Sequence, residues 1–134
     1  MKKKICSASK VVIGEAFNFK VVNNDFCSEA RERPKGDFAG TLDWCESIEV
    51  EITIEEVLYP LSLEPGGNLI YRFGGGLFSV EKLYEDLSDN KGIFSLVQVE
   101  ESGKTMHRPS YEWFLKTGLE HKEQVLEILK SCVR

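Results

Sequence analysis

"SIEVEITIEEVLY", residues 47–59, decides the fold class. Ile48, Val50, Ile52 and Ile54 fall on one side of an extended chain. Glu49, Glu51, Thr53 and Glu55 fall on the other. A period of two, with β-branched residues on the apolar side, specifies a half-buried strand and not a helix. Upstream, "KVVIGEAFNFKVV" (10–22) alternates in the same way, with Val11, Ile13, Phe17, Phe19 and Val21 on one face and Glu15 as the exception. It predicts a second long strand.

Shorter segments complete the pattern. "FAGTLDW" (38–44), "LIYRF" (69–73) and "IFSLVQVE" (93–100) read as strands, the last apolar on both faces and so central. Ser79 fits a helix N-cap, with Val80, Leu83, Tyr84 and Leu87 at helical spacing behind it. "ESGKTMHRP" (101–109) reads as a loop, Pro109 as the start of a short helix through "SYEWFLK", and residues 119–133 as the last helix. The order β, β, β, β, α, β, α, α predicts a single α+β domain over residues 1–134. Its sheet is mostly antiparallel with about five strands, and its helices, mainly C-terminal, pack on one face.

The chain has 134 residues and a net charge of −5, enough length for a core without staples. From Gly36 to Tyr71 there is no Lys or Arg and there are eight acids, so this stretch is −8 and the remainder +3. An acidic surface repels nucleic acid and anionic lipid and attracts basic partners. The N-terminal "MKKKICSASKVVIGEAF" has the basic start of a secretory signal, but Lys10 and Glu15 interrupt its apolar centre. Cys6, Cys27, Cys45 and Cys132 form no C-x-x-C pair, so they are expected to be thiols in a cytoplasmic protein. No membrane contact and no cofactor is expected, and two histidines among scattered acids predict no metal site.

Ser79-Val80-Glu81-Lys82, Ser88-Asp89-Asn90 and Lys116-Thr117-Gly118 match the three strings of penicillin-binding proteins and class A β-lactamases. The first two bracket one short helix, whose ends lie about 13 Å apart, so they cannot face each other across a substrate. Ser79 reads as a cap, Lys82 as a solvated helix residue and Ser88–Gly92 as a turn. The Gly74–Gly76 run lacks the Gly-Lys-Ser/Thr of a P-loop. No enzyme activity is expected.

The functional expectation rests on the acidic strand. Three carboxylates on one strand face, spaced about 6.6 Å per pair of residues, suit Arg and Lys side chains of a partner. The expected partner-binding residues are Asp43, Trp44, Glu46, Glu49, Glu51, Glu55, Glu56 and Tyr59, with Trp44 and Tyr59 as aromatic anchors. A small acidic binding module of this kind suits an immunity or antitoxin protein that covers a basic, nuclease-like toxin. Two alternatives come from other classes. One is a ligand-binding or enzymatic pocket near Tyr71, Arg72, His107 and Trp113. The other is a structural subunit of a larger assembly.

Overall fold

The computed structural model describes residues 2–24, 40–42, 44–74, 78–89, 91–101, 103–111 and 116–132. Among these residues eight strands form one mixed sheet, accompanied by three helices. The strands are β1 (Lys10–Gly14), β2 (Ala16–Asn23), β3 (Glu46–Thr53), β4 (Glu56–Tyr59), β5 (Asn68–Gly74), β6 (Gly92–Glu101), β7 (Lys104–Pro109) and β8 (Thr117–Gly118). The helices are α1 (Lys2–Cys6), α2 (Val80–Ser88) and α3 (Lys122–Ser131). The sheet order is β2-β3-β5-β7-β6-β1-β4, with β8 on β6.

The two long sequence patterns are each one ribbon with a bend in it. Glu15 alone separates β1 from β2, and Ile54 and Glu55 separate β3 from β4. The two ribbons pair antiparallel along their whole length, from Asn23↔Glu46 to Ala16↔Ile52 and from Ile13↔Glu56 to Val11↔Tyr59. Hydrogen bonds Thr53 N–H to Glu15 O (3.1 Å) and Glu55 N–H to Ile13 O (3.0 Å) carry the ladder through the bend. Because β1 also pairs with β6, the β2–β3 side of the sheet and the β1–β4 side are two halves of the same pair of ribbons. The sheet therefore curls round and closes.

Closure sorts the side chains. Val12, Ile48, Val50, Ile52, Leu69, Tyr71, Phe73, Phe94 and Leu96 face inward and form the larger core cluster. Val80, Leu83 and Leu87 of α2 join the same cluster. Ser79 does cap α2, its hydroxyl accepting from the Lys82 N–H at 3.2 Å. Outward-facing Val11, Ile13, Leu58 and Ile93 instead meet Ile5 of α1, Ala8 and Val125 of α3 in a second cluster. Cys6 and Cys132 are joined by a disulfide across α1 and α3. It closes a loop spanning 126 residues, worth about 5 kcal/mol in a chain-entropy account.

Several expectations are corrected. Among the described residues there are eight strands and not about five, because the bends divide the long strands, β7 lies in the expected loop at 101–109, and β8 falls between the two expected C-terminal helices. Lys104–Pro109 is a strand because Met106 and His107 are both buried where it runs beside β5 in a parallel pairing. Pro109 ends that strand and starts no helix. The helices do not share one face: α2 joins the interior cluster, and α1 with α3 joins the exterior one. The alternation of residues 10–22 changes parity at Asn18, which has φ 57° beside an irregularity in the β2–β3 register. Phe17 is thereby exposed while Phe19 packs on the interior cluster. Cys6 and Cys132 are not thiols, and Cys45 is disulfide-bonded as well. The predicted strand at 38–44 and helix over "SYEWFLK" fall largely outside the described residues; Thr41 makes only a bridge to Ser79.

Gly14 sits where the ribbons cross most closely. A Cβ there would overlap the Thr53 carbonyl. Gly14→Ala is expected to lower the urea midpoint by an amount equivalent to about 2–3 kcal/mol, the range for overpacking. An unchanged midpoint would show that the bend tolerates a side chain.

Candidate functional site

The acidic residues of the 36–71 stretch do not form one row. Glu49 and Glu51 lie on the outer face of β3, whereas Glu55 and Glu56 lie beyond the bend, beside the part of the ribbon paired with β1. Each finds a partner from elsewhere in the chain. Glu49 accepts from Arg72 Nε at 2.8 Å and pairs with Lys20 at 3.0 Å. Glu51 accepts from Asn18 Nδ2 at 2.7 Å. Glu55 pairs with Lys91 at 2.6 Å and Glu56 with Lys122 at 2.9 Å. Glu46 is buried, and Tyr59 packs half-buried against the exterior cluster. Asp43 lies outside the described residues.

Glu49 belongs to a charge ladder that runs across the barrel wall. Arg72 bridges two carboxylates, Glu49 through Nε and Glu101 through Nη1 at 2.9 Å. Glu101 in turn accepts from Arg108 Nε at 2.7 Å. Lys20, Glu49, Arg72, Glu101 and Arg108 thus alternate in sign over strands β2, β3, β5, β6 and β7. Arg72 and Glu49 are almost fully buried. Burial works against the charged form of Glu49, but the hydrogen bonds from Arg72 and Lys20 outweigh it and hold the carboxyl below its ordinary value. The planar guanidinium suits this bridging, since its donors fork toward two acceptors at once.

On the inward face, Lys10, Gln98 and His107 form a second polar group. Lys10 Nζ lies 2.9 Å from His107 Nε2 and 3.1 Å from Gln98 Oε1. An ammonium only donates, so Nε2 is the acceptor and the imidazole proton sits on Nδ1. Nδ1 then donates to the Ile70 carbonyl at 3.1 Å. Burial, and then the Lys10 charge, pull His107 below its usual value against that hydrogen bond. Tyr71 is enclosed in the core, where burial pushes its hydroxyl up. Arg72 and His107 are thus occupied by partners of their own, on opposite faces of the wall, and Trp113 lies outside the described residues.

Trp44 is different. It is 59% exposed, on a turn whose backbone is held from three sides. Buried Asn24 donates from Nδ2 to the Trp44 carbonyl at 3.3 Å and from its backbone N–H to the Cys45 carbonyl at 2.7 Å. Ser47 Oγ donates to Asn24 Oδ1 at 2.6 Å, fixing the amide's orientation. Cys45 adds a covalent tether. Asn24 has no signature that marks it in the sequence, because its role depends on the β2–β3 register.

An open groove of about 620 Å³ lies near the Glu15 bend. It is lined by Glu15, Asp89, Glu120, Lys91 and Lys116 among others. Lys91 is engaged by Glu55, and Lys116 donates to the Asp89 carbonyl at 2.6 Å just beyond the α2 C-terminus, where a cation suits the helix dipole. Burial draws Lys116 below the ordinary lysine value, opposed by Asp89, Asp86 and Glu15. Lys82 pairs with Asp86 at 2.9 Å. Among the described residues no group of three His, Cys, Asp or Glu is placed to hold a metal ion. No family model, no curated protein and no solved structure matches this chain.

Acid should lower stability over two pH ranges, with the same sign in each. Below about pH 6.5 the unfolded His107 takes a proton that the folded one resists, so stability falls as pH falls. Below about pH 4.5 the Glu49 contribution is lost as its folded carboxyl protonates. Urea midpoints between pH 8 and 3 measure this, and His107→Gln should flatten the upper limb alone. Arg72→Ala, which removes the central cation and leaves Glu49 to Lys20 and Glu101 to Arg108, should cost about 2–3 kcal/mol at pH 7, somewhat less than stranding a buried charge outright; a cost below about 1 kcal/mol would rule out a structural role for the ladder.

Proposed function

We propose that the protein is a non-enzymatic protein-binding module that covers the surface of a basic partner, in the manner of an immunity or antitoxin protein, and that Trp44 anchors the contact. The observation that carries this reading is the exposed indole on a clamped turn. A large aromatic held in place before binding loses little conformational freedom on docking, which is the profile of an interface hot spot. The net charge of −5 steers a basic partner toward the chain.

The architecture supports a binding role. Five strand positions, counting each bent ribbon once, run in the order first-second-third-fifth-fourth and return to the first, with α2 between the third and fourth. This order resembles the plan of a Greek-key barrel of the OB type, which binds ligands on the face of its second and third strands and on the adjoining loops. Here that face is the outer side of β3 and β5, and Trp44 stands at its edge where β3 begins. The ladder on this face, three cations and two carboxylates tied by ion pairs, serves as a rigid floor. Glu51 and Lys20 offer polar contacts at the rim. Glu55, Glu56 and Tyr59 belong to the far side of the bend and contribute little to this surface. Fold analogy alone does not identify a ligand, and an acidic chain disfavours the oligonucleotides that many such barrels bind.

The expected thiols follow from reading the chain as cytoplasmic, a reading that rests on the interrupted apolar centre of its first residues; the disulfides favour an oxidising compartment instead. Among the described residues no helix is long and apolar enough to cross a membrane.

The test is capture from native lysate with a salt gradient, followed by reconstitution with the purified partner. Trp44→Ala should weaken binding about 30-fold or more, the scale of a hot-spot residue. Glu55→Lys with Glu56→Lys should change it less than about threefold. Undiminished affinity in the Trp44 variant would sink the assignment, and selective loss in the Glu55/Glu56 variant would move the surface beyond the bend.

A further inference from the structure

We propose that the Cys6–Cys132 disulfide is a redox latch on the α1–α3 layer, and that reducing it releases α3 while the barrel stays folded. Besides the disulfide, the described residues hold that layer through the small exterior cluster, the Ser110 hydroxyl donating to the Lys4 carbonyl, and Lys3 over the Tyr111 ring. α1 is five residues long, too short to persist as a helix unaided. In α3 only Val125 is fully buried; Leu126, Ile128 and Leu129 are packed but partly exposed. The Lys122–Glu56 pair is solvent-exposed on both sides and adds little. The latch joins the end of α1 to the residue that caps the end of α3, so it restrains the layer at the point farthest from its β8 tether.

A second, independent observation concerns what lies underneath. Ser95 pairs with Val11, and Thr117 with Ile93. Cross-strand partners point to the same side, so both hydroxyls face the side that α1 and α3 cover. Both are buried, and neither hydroxyl has a hydrogen-bond partner among the described residues. A buried hydroxyl without a partner favours whichever state hydrates it. Undocking the layer hydrates both. The docked state is therefore held against a local bias to open, and the disulfide supplies the restraint.

The chemistry is thiol–disulfide exchange. A dithiol reductant attacks the Cys6–Cys132 bond, passes through a mixed disulfide, and leaves as its own cyclic disulfide. It gives up two electrons and two protons, and Cys6 and Cys132 become thiols. Release bares Val11, Ile13, Leu58 and Ile93.

The experiment compares the protein with the Cys6→Ser/Cys132→Ser variant, which leaves the bond at Cys45 in place. Amide hydrogen exchange is read by element. In the variant, α3 amides should exchange within seconds, while those of β3, β5 and β6 stay protected about 100 times longer. Binding of a hydrophobic dye should rise in parallel. Adding Ser95→Ala and Thr117→Val to the variant should restore about tenfold protection to α3. In the native protein under a graded dithiol, alkylation of Cys6 and Cys132 should track α3 exchange. Full protection of α3 in the variant would overturn the proposal. So would loss of protection in α3 and the barrel in a single step, which would make the disulfide a global staple and not a latch.

Discussion

The rest of the structure depends on one pairing, that of residues 10–23 with residues 46–59 across a shared bend. Two flat strands of this length would make an open ribbon. Here the ribbon turns at Gly14 and Glu15 on one side and at Ile54 and Glu55 on the other, and the Thr53 carbonyl occupies the space that any side chain at position 14 would need. The bend lets the first half of strand one reach β6 while its second half stays on β3. A sheet closed in this way has an inside, filled by Tyr71, Phe94 and their neighbours, and an outside that must be covered or solvated.

That division explains why alternation was legible and closure was not. Ile48, Val50 and Ile52 point inward as their spacing requires. β-branched alternation reports burial of one face, but a bulge costs a single residue and leaves only a parity change in the sequence, at Asn18 and near Glu55. β7 went unread for a related reason. "KTMHRP" has only one apolar side chain that stands out, and its burial comes from lying between β5 and β6, a placement with no local signal. α2 was legible in full, because a cap and an apolar stripe are local.

The charge pattern has the same logic. A stretch of 36 residues without a base looks like a surface built for a cationic partner. In the fold its acids meet Lys20, Arg72, Lys91 and Lys122, residues that precede, follow or lie far beyond it. Segregating the signs in sequence while interleaving them across strands favours the native register, since a one-residue slip of β3 would turn Glu49 into the core. Much of the acidic run is therefore an instruction for pairing. Of the expected binding residues, the one that remains conspicuous is Trp44, whose exposure nothing in the core requires.

Covalent closure is what the spacing of the cysteines hid. Cys6 and Cys132 lie at opposite ends of the chain, and only the return of α3 to the outer face of β1 brings them together. The two tethers act on different parts of the molecule. The bond at Cys45 stiffens the turn that presents Trp44, on the rim of the barrel. The Cys6–Cys132 bond restrains helices that cover the opposite strands. The interior cluster gives the barrel its own source of order, and on the latch proposal each disulfide governs a surface element. A protein arranged in this way can have its terminal layer loosened without disturbing the turn that carries Trp44. Presentation of the exposed Trp44 indole and, on the latch proposal, exposure of the apolar outer wall are thereby separable properties of one small fold.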